Sequence, residues 1–280
     1  MPSLLPPPIC AVDAETFARM IRVTRLNARF VTPVPFVAGP SLPGRLRGAW
    51  GRALLDTGAS GADAADLFFG RTGSAHKPFS LSAEDTGGEL HVSLALFGVA
   101  DQHRAAAFDA LMTGLTEGEG IALTDAPHAE RRALRLLHAG WTRREGVETF
   151  GVADTARLVF RTPVKIGPRD TLGATYSDIW VSAAIRAAAM ARWSGLDLAP
   201  GVGRVRALAN AMAYRDDGLA PRRWDRWSSR KPGLRRAMMG MEGTLTIERW
   251  REELTPLLHL AQVLHVGANV SFGLGRFEIG

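Results

Sequence analysis

A basic stretch in the second half of the chain has residue types that could bind a polyanion. Residues 215–236 hold eight basic residues against three acidic ones, so they supply most of the formal net charge of +6. Trp224 and Trp227 lie among the arginines, and Pro221 and Pro232 argue against one continuous helix. An exposed loop of arginines and aromatic residues can contact phosphates and stack on unpaired bases, so the pattern favours RNA binding. The alternative is a solvated basic loop beside two core tryptophans.

The glycine-rich C-terminus is the second segment that could take part in binding. Residues 265–280 read HVGANVSFGLGRFEIG and contain four glycines and one arginine. A turn of this kind between a helix and a strand exposes backbone amides, which together with Arg276 could form a concave site for phosphate oxygens. The alternative is a tight helix end followed by a bend, because glycine tolerates left-handed backbone. A dinucleotide fingerprint is excluded, since the segment follows a helix and precedes a strand.

Composition limits the class of protein. The 280 residues, 46% of them hydrophobic, suffice for one large domain or two ordinary ones. Cys10 is the only cysteine, so we expect neither a disulfide framework nor a cysteine zinc site. The first ten residues lack the features of a signal peptide, and no apolar run has the length of a membrane span. We therefore expect a cytoplasmic protein that does not contact membranes.

The histidines do not form a pattern typical of metal ligands. They show neither a shared helical face nor carboxylate partners at ligand spacing, so we expect no metal and no other cofactor. They are His76, His91, His103, His128, His138, His259 and His265.

Hydrophobic periodicity predicts the elements of the first half in the order strand, helix, strand, strand, helix, strand. The predicted strands are 21–31, 78–81, 89–98 and 121–123, and the predicted helices are LRGAWGRALL and residues 102–116. In the second half the predicted strands are 157–166, 244–248 and 274–279, and the predicted helices are residues 176–193 and a helix from Thr255 to Gly267. The second strand of that half has no clear pattern.

Both patterns suit a ferredoxin-like unit, in which helices cover one face of an antiparallel sheet. We therefore predict an α+β protein of two tandem ferredoxin-like (RRM-like) domains, residues 1–150 and 151–280. The N-terminal half should carry extra helices, one of them an amphipathic helix over AERRALRLLHAGW, residues 129–141.

Five stretches of the chain, in the right order, resemble the CRISPR pre-crRNA processing endoribonucleases of the RAMP superfamily. They are FVAGPSLPGRLRGAWGRALL, LALFGVAD, VFRTPVKI, RWSSRKPGLRRAMMGMEGTLTI and the closing HVGANVSFGLGRFEI. The resemblance implies a protein that binds a CRISPR repeat RNA hairpin and cuts at its 3′ base. It also implies cleavage without metal, by attack of the ribose 2′-hydroxyl on the adjacent phosphate, and contact with other subunits of a CRISPR ribonucleoprotein.

The stretch VTPVPFVAGPSLPGRLRG departs from the family pattern because it lacks the histidine that many members carry there. It contains Arg45 and Arg47 instead, and Arg29 lies on the preceding strand. We therefore predict arginine-assisted cleavage, in which these three residues hold the phosphate and stabilise its charge. The alternative for Arg47 is packing on its own helix.

RNA binding is expected from two sets of residues. Basic residues of the 215–236 stretch should contact phosphates of the hairpin stem, because A-form duplexes are recognised mainly by backbone and shape. These residues are Arg223, Arg226, Arg230, Lys231, Arg235 and Arg236. In the closing turn the expected contacts are Gly267, Asn269, Ser271, Gly273, Gly275 and Arg276.

Several alternatives stay open at this point. His76 and His265 are further candidates for the proton acceptor. The missing histidine favours a processing enzyme of a type IV system. It also favours a RAMP subunit that binds RNA without cutting it. A general RNA-binding protein unrelated to CRISPR would show no preference for a repeat hairpin.

Overall fold

The computed structural model describes residues 10–32, 38–70, 76–117, 120–124, 129–165, 175–199, 201–227 and 235–280. For residues 59, 60, 226, 227, 235 and 236 the description covers the backbone only. Arg230, Lys231 and His128 lie outside the described residues.

The first half folds around a four-stranded sheet. An N-terminal segment forms strand β1 (Cys10–Val12) and helix α1 (Ala14–Met20), which begins where the Asp13 side chain accepts a hydrogen bond from the Thr16 amide. The elements that follow are β2 (Arg22–Val31), α2 (Leu42–Asp56), α3 (Ala62–Phe69), β3 (Phe79–Asp85), β4 (Glu89–Phe97), α4 (Arg104–Thr116) and β5 (Arg135–Glu145). The strand order is β3-β4-β2-β5, and every pair is antiparallel.

The second half repeats this arrangement with an enlarged middle. Its elements are β6 (Thr155–Val164), α5 (Asp178–Trp193), β7 (Leu196–Leu198), α6 (Val202–Asn210), β8 (Ala213–Asp216), β9 (Ala220–Trp227), β10 (Arg235–Glu248), α7 (Thr255–Leu264) and β11 (Phe277–Ile279). The strand order is β11-β6-β10-β8, and β9 also pairs with β10. A bulge between Met241 and Gly243 separates the part of β10 that pairs with β9 from the part that pairs with β8.

Both sheets have the ferredoxin-like order, in which the fourth strand neighbours the first and the third lies beside the second. The predicted fold class is therefore confirmed. The expected division after residue 150 falls between β5 and β6 and stays a prediction. The N-terminal segment crosses this division, because β1 pairs in parallel with β7 and α1 contacts α7.

Three predicted features are wrong. Residues 129–141 do not form a helix, and β5 rather than 121–123 is the fourth strand of the first sheet; Ile121 forms only an isolated bridge to Arg132. The apolar spacing of RLLHAGW suits a helix, but the free edge of β2 offers this segment a full ladder of backbone hydrogen bonds. The basic stretch is likewise not one loop, since β9 and β10 form a hairpin across it.

The two halves pack against each other around a buried arginine. Arg186 of α5 donates to the carbonyls of Lys77 (2.8 Å) and Phe79 (2.7 Å) at the start of β3, and to Leu264 O (3.3 Å) at the end of α7. Burial lowers its pKa to about 9, which still leaves it charged at neutral pH. One cation thus ties three backbone carbonyls of both halves together, which fixes where α7 lies against the first sheet.

Candidate nucleic-acid interface

A polar cleft of about 320 Å³ lies over the face of the first sheet that points away from its core. Strand alternation places polar side chains there, because the apolar residues between them point into the core. We call this site the sheet cleft. The first half contributes Arg25, Asn27, Arg29, Ser80, Ser82, Glu84, His91, Ser93 and His138, and the second half contributes Gln262, His265 and Arg276.

Four side chains form one row across the floor of the sheet cleft. The register pairs Glu84 of β3 with His91 of β4, His91 with Arg29 of β2, and Arg29 with His138 of β5. Adjacent strands lie about 4.8 Å apart, and residues directly opposite on one face are near enough to interact. The row therefore spans the whole sheet, with Arg29 on the strand between those of His91 and His138.

Glu89 anchors the middle of this row. Its Oε2 accepts hydrogen bonds from Arg29 Nε (3.1 Å) and Nη2 (2.7 Å) and lies 3.3 Å from His91 Nε2. The bond from Arg29, and then that from His91, lowers the pKa of Glu89. Thr86 Oγ1 lies 3.2 Å from the same His91 nitrogen. One carboxylate thus orients both groups, while Arg29 Nη1 makes no hydrogen bond within the described part of the chain.

Arg276 closes one end of the row from the second half. Its guanidinium pairs with Glu84 and with Glu278, the latter at 3.4 Å. Burial lowers the pKa of Arg276, and burial followed by the charge of Arg276 lowers the pKa of Arg25. The lining contains Arg25, Arg29 and Arg276 against one acidic residue, Glu84, and the carboxylates of Glu89 and Glu278 beside it offset part of that positive charge.

His265 lines the sheet cleft but is a poor proton acceptor. It follows α7 with a φ of 62°, is buried, and its Nδ1 has no hydrogen-bond partner among the described residues. Burial, with smaller effects from Arg186 and Arg25, lowers its pKa to about 3. An imidazole with so low a pKa accepts a proton weakly at neutral pH.

His76, the other histidine proposed as a base, lies outside the lining of the cleft. Its carbonyl accepts a hydrogen bond from Trp193 Nε1 (2.8 Å), and burial lowers the pKa of its ring. Its backbone therefore helps to join the two halves.

The glycine-rich turn packs against protein and does not present a row of free amides. The amides of Gly267, Gly273, Gly275 and Arg276 donate to Ser182 Oγ, Val270 O, Pro163 O and Thr162 Oγ1. A Cβ on Gly273 would collide with Pro43, and one on Gly275 would collide with Val266 O; both glycines have positive φ. These four amides therefore do not form the predicted phosphate nest, and close packing explains the glycines.

The remaining positions of the turn are more open. Asn269 has left-handed backbone with a φ of 64°, and its carbonyl accepts from the Phe272 amide. Ser271 is half-buried. Their predicted contact with RNA stays a prediction, and Arg276 is the residue of the turn that lines the sheet cleft.

Arg45 and Arg47, predicted to hold the phosphate, both have structural contacts. Arg45 donates to Thr124 O (2.7 Å) and Leu123 O (3.0 Å), which holds that segment against α2. The Arg47 guanidinium lies between two rings, 4.8 Å from the Phe69 centroid and 4.7 Å from that of Phe272. Neither lines the sheet cleft, whereas Arg29 does, so the three predicted catalytic arginines are divided between two places.

The β9–β10 hairpin carries the basic stretch. Arg222 and Arg223 are exposed on β9, whereas Trp224 is buried. Arg226, Arg235 and Arg236 lie on the two strands by their backbone positions. Arg215, on β8, has acidic partners instead: its guanidinium pairs with Asp217 (2.8 Å) and Glu248 (2.6 Å).

The described residues lack the features of two other kinds of site. No helix among them is both long and apolar enough to cross a membrane. Within the same ranges, no three His, Cys, Asp or Glu side chains come together as metal ligands would.

Sequence reasoning missed most of the sheet cleft. The sequence did not predict that His91 and His138 lie next to Arg29. It also did not predict that Glu84 and Arg25 belong to the same site. The alternation of ELHVSLALF does place His91 on the polar face of its strand, which was a usable signal. The neighbourhood itself depends on strand register, which sequence patterns do not supply.

The fold and the cleft define a class: a tandem ferredoxin-like protein with a basic cleft between its halves. Residues 158–277 match the family model described as "CRISPR-associated endoribonuclease Cas6". The predicted resemblance to the RAMP-type processing endoribonucleases is thereby confirmed. A comparison with curated protein sequences finds no match.

Solved Cas6 structures share this fold. A "Cas6 (TTHA0078) product complex" matches with a TM-score of 0.56 and 18% identity, covering 92% of this chain and 99% of the other. "Thermus thermophilus Cas6 (TTHB231)" matches with a TM-score of 0.54 and 16% identity, covering 93% and 99%. At these identities the likeness establishes the fold alone.

Proposed function

We propose that this protein is an endoribonuclease that binds CRISPR repeat RNA and cuts precursor crRNA. The observation that carries the proposal is the match of residues 158–277 to the Cas6 family model, in a chain whose basic cleft lies against that same region. The similar solved structures include a product complex and a substrate mimic complex of Cas6, which supports an RNA substrate. We place the activity in the cytoplasm, with other subunits of a CRISPR ribonucleoprotein as partners.

In this proposal the two halves have separate tasks. The β9–β10 hairpin binds the phosphates of the repeat stem, since its exposed arginines follow one ribbon. The sheet cleft takes the strand next to the stem, because its volume and its positive charge suit a nucleotide with its phosphate. The enzyme stays bound to the mature crRNA through the stem.

Cleavage proceeds by attack of the ribose 2′-hydroxyl on the adjacent phosphate, giving a cyclic phosphate and a 5′-hydroxyl. The protein then needs only to align the attack, move protons and stabilise the charge on phosphorus. Arg29, Arg45 and Arg47 are the arginines proposed for the phosphate. Arg29 is the one that lines the cleft, and the contacts of Arg45 and Arg47 also support a role in holding α2 and its neighbours.

The test is incubation with the repeat RNA of the protein's own locus in excess EDTA, with mapping of both ends. A single cut that leaves a cyclic phosphate is the expected result. The second candidate is a RAMP subunit that binds crRNA without cutting, and the absence of a histidine in the VTPVPFVAGPSLPGRLRG stretch favours it. Tight binding with no cut, with or without magnesium, would establish that candidate instead.

A further inference from the structure

The row Glu84–His91–Arg29–His138 has the composition of a site for phosphoryl transfer within RNA. It combines two histidines with an arginine on the strand between them, all on one face of one sheet and all lining the sheet cleft. A reaction that moves one proton off a nucleophile and another onto a leaving group needs two such proton carriers. A guanidinium from the strand between them can hold a phosphate and its developing charge.

We propose that Arg29, His91 and His138 are the catalytic residues of the RNA cleavage. The two histidines of the sheet cleft then perform the role of the histidine that is missing after the first strand. This inference rests on the proposed function. The guanidinium of Arg29 binds the scissile phosphate, and His91 and His138 act on it from the strands on either side of β2. Glu84 and Arg276 close the row at the β3 end, and Glu89 positions Arg29 and His91.

The step balances without any other reactant. One neutral imidazole takes the proton of the 2′-hydroxyl while its oxygen forms a bond to phosphorus. The bond between phosphorus and the 5′-oxygen breaks, and the other imidazole, protonated beforehand, gives its proton to that oxygen. The products are a 2′,3′-cyclic phosphate and a 5′-hydroxyl, and the two imidazoles have exchanged protonation states.

The structure favours this row over the other candidates. Arg29 donates to Glu89 through Nε and Nη2, which orients the guanidinium. Its third nitrogen, Nη1, can then donate to a phosphate oxygen. On the cleft floor His91 is half-buried and His138 is exposed, so a substrate can reach both rings. His265 is buried with a pKa of about 3, and Arg45 holds backbone carbonyls outside the cleft.

The experiment measures single-turnover cleavage by the full-length protein carrying His91→Gln or His138→Gln, with His103→Gln as the matched control. His103 lies at the start of α4 and does not line the cleft. Each cleft variant should lose about 100- to 10,000-fold in cleavage rate while binding the repeat RNA as tightly as the unaltered protein. The His103 variant should cleave normally, and all three should unfold at the same temperature as the unaltered protein.

A sulfur substrate separates proton transfer from mere positioning. When the 5′-oxygen of the scissile bond is replaced by sulfur, the leaving group no longer needs a proton. One of the two variants, the one lacking the acid, should then recover most of its rate, and the other should not. Recovery by neither variant would overturn the assignment of an acid–base pair.

The remaining outcomes distinguish this inference from the function on which it rests. If the unaltered protein cuts and both variants cut within threefold of it, the row is not catalytic, and the endoribonuclease function stands. If the unaltered protein binds the repeat but never cuts it, both the row and the enzymatic function are overturned.

Discussion

The two halves share one order of strands but place their basic residues differently. In the first half the charged side chains lie on the open face of the sheet, where register collects them into a cleft. In the second half the arginines of the basic stretch lie on a hairpin. The first part of β10 pairs with β9, and its later part pairs with β6 and β8. A sheet face holds functional groups at fixed distances from one another, whereas a long hairpin can contact several phosphates along a duplex. The same topology therefore suits chemistry in one half and stem binding in the other.

The largest expected effect is on the stability of the glycine-rich turn, which positions Arg276 of the second half against Glu84 of the first half. Gly275→Ala should cost about 3–5 kcal/mol of stability, since the new Cβ would collide with Val266 O at a positive φ. Denaturant unfolding measures it, with Gly151→Ala as the control because no atom lies within 4 Å of its Cβ position. Equal stabilities for the two variants would show that the turn is not tightly packed.

Arg29→Ala should be a strong catalytic lesion in the first half. Removing the guanidinium should slow cleavage by about 100- to 1,000-fold, the typical cost of losing one group that stabilises transition-state charge. Arg22→Ala, at the beginning of the same strand, is the matched control and should cleave normally. If both variants cut at the same rate, the division of tasks between the halves is wrong.

The dependence of stability on pH tests the burial of His265 at the junction of the halves. Its folded pKa of about 3 lies below its ordinary value of 6.5, so between these pH values the unfolded chain binds a proton that the folded chain does not. The free energy of unfolding should therefore fall as the pH drops from 6.5 toward 3, by an amount on the order of a few kcal/mol. In His265→Gln that part of the fall should be absent; identical pH profiles for the two proteins would contradict the burial.

The smallest effect is expected on the hairpin. With Arg215 held by Asp217 and Glu248, the other basic residues of the stretch should give a slope of roughly −5 to −6 for log affinity against log salt. Arg223→Ala should make that slope shallower by about one and leave the cleavage rate of bound RNA unchanged. Arg19→Ala, on α1, is the control. A slope near −1 for the unaltered protein would exclude the hairpin as the main contact.

Prediction from sequence was most successful where a pattern is local. The strands 21–31 and 89–98 and the helices 102–116 and 176–193 follow from periodicity, and the structure has them within a few residues. It failed for RLLHAGW. The apolar spacing of this segment is compatible with a helix, but the segment can equally well form an edge strand. It also failed for the amides of the glycine-rich turn, because their acceptors come from distant residues such as Pro163 and Ser182.

The sequence by itself determined the α+β class, most of the doubled order of elements, the basic stretch and the likeness to RAMP endoribonucleases. Each of these depends on residue type and on spacing along the chain. The tertiary structure alone decided that Arg29 lies between His91 and His138 and that Arg276 reaches Glu84. Those neighbourhoods depend on strand register and on the packing of the two halves, and a shift of one residue in register would move each side chain to the other face.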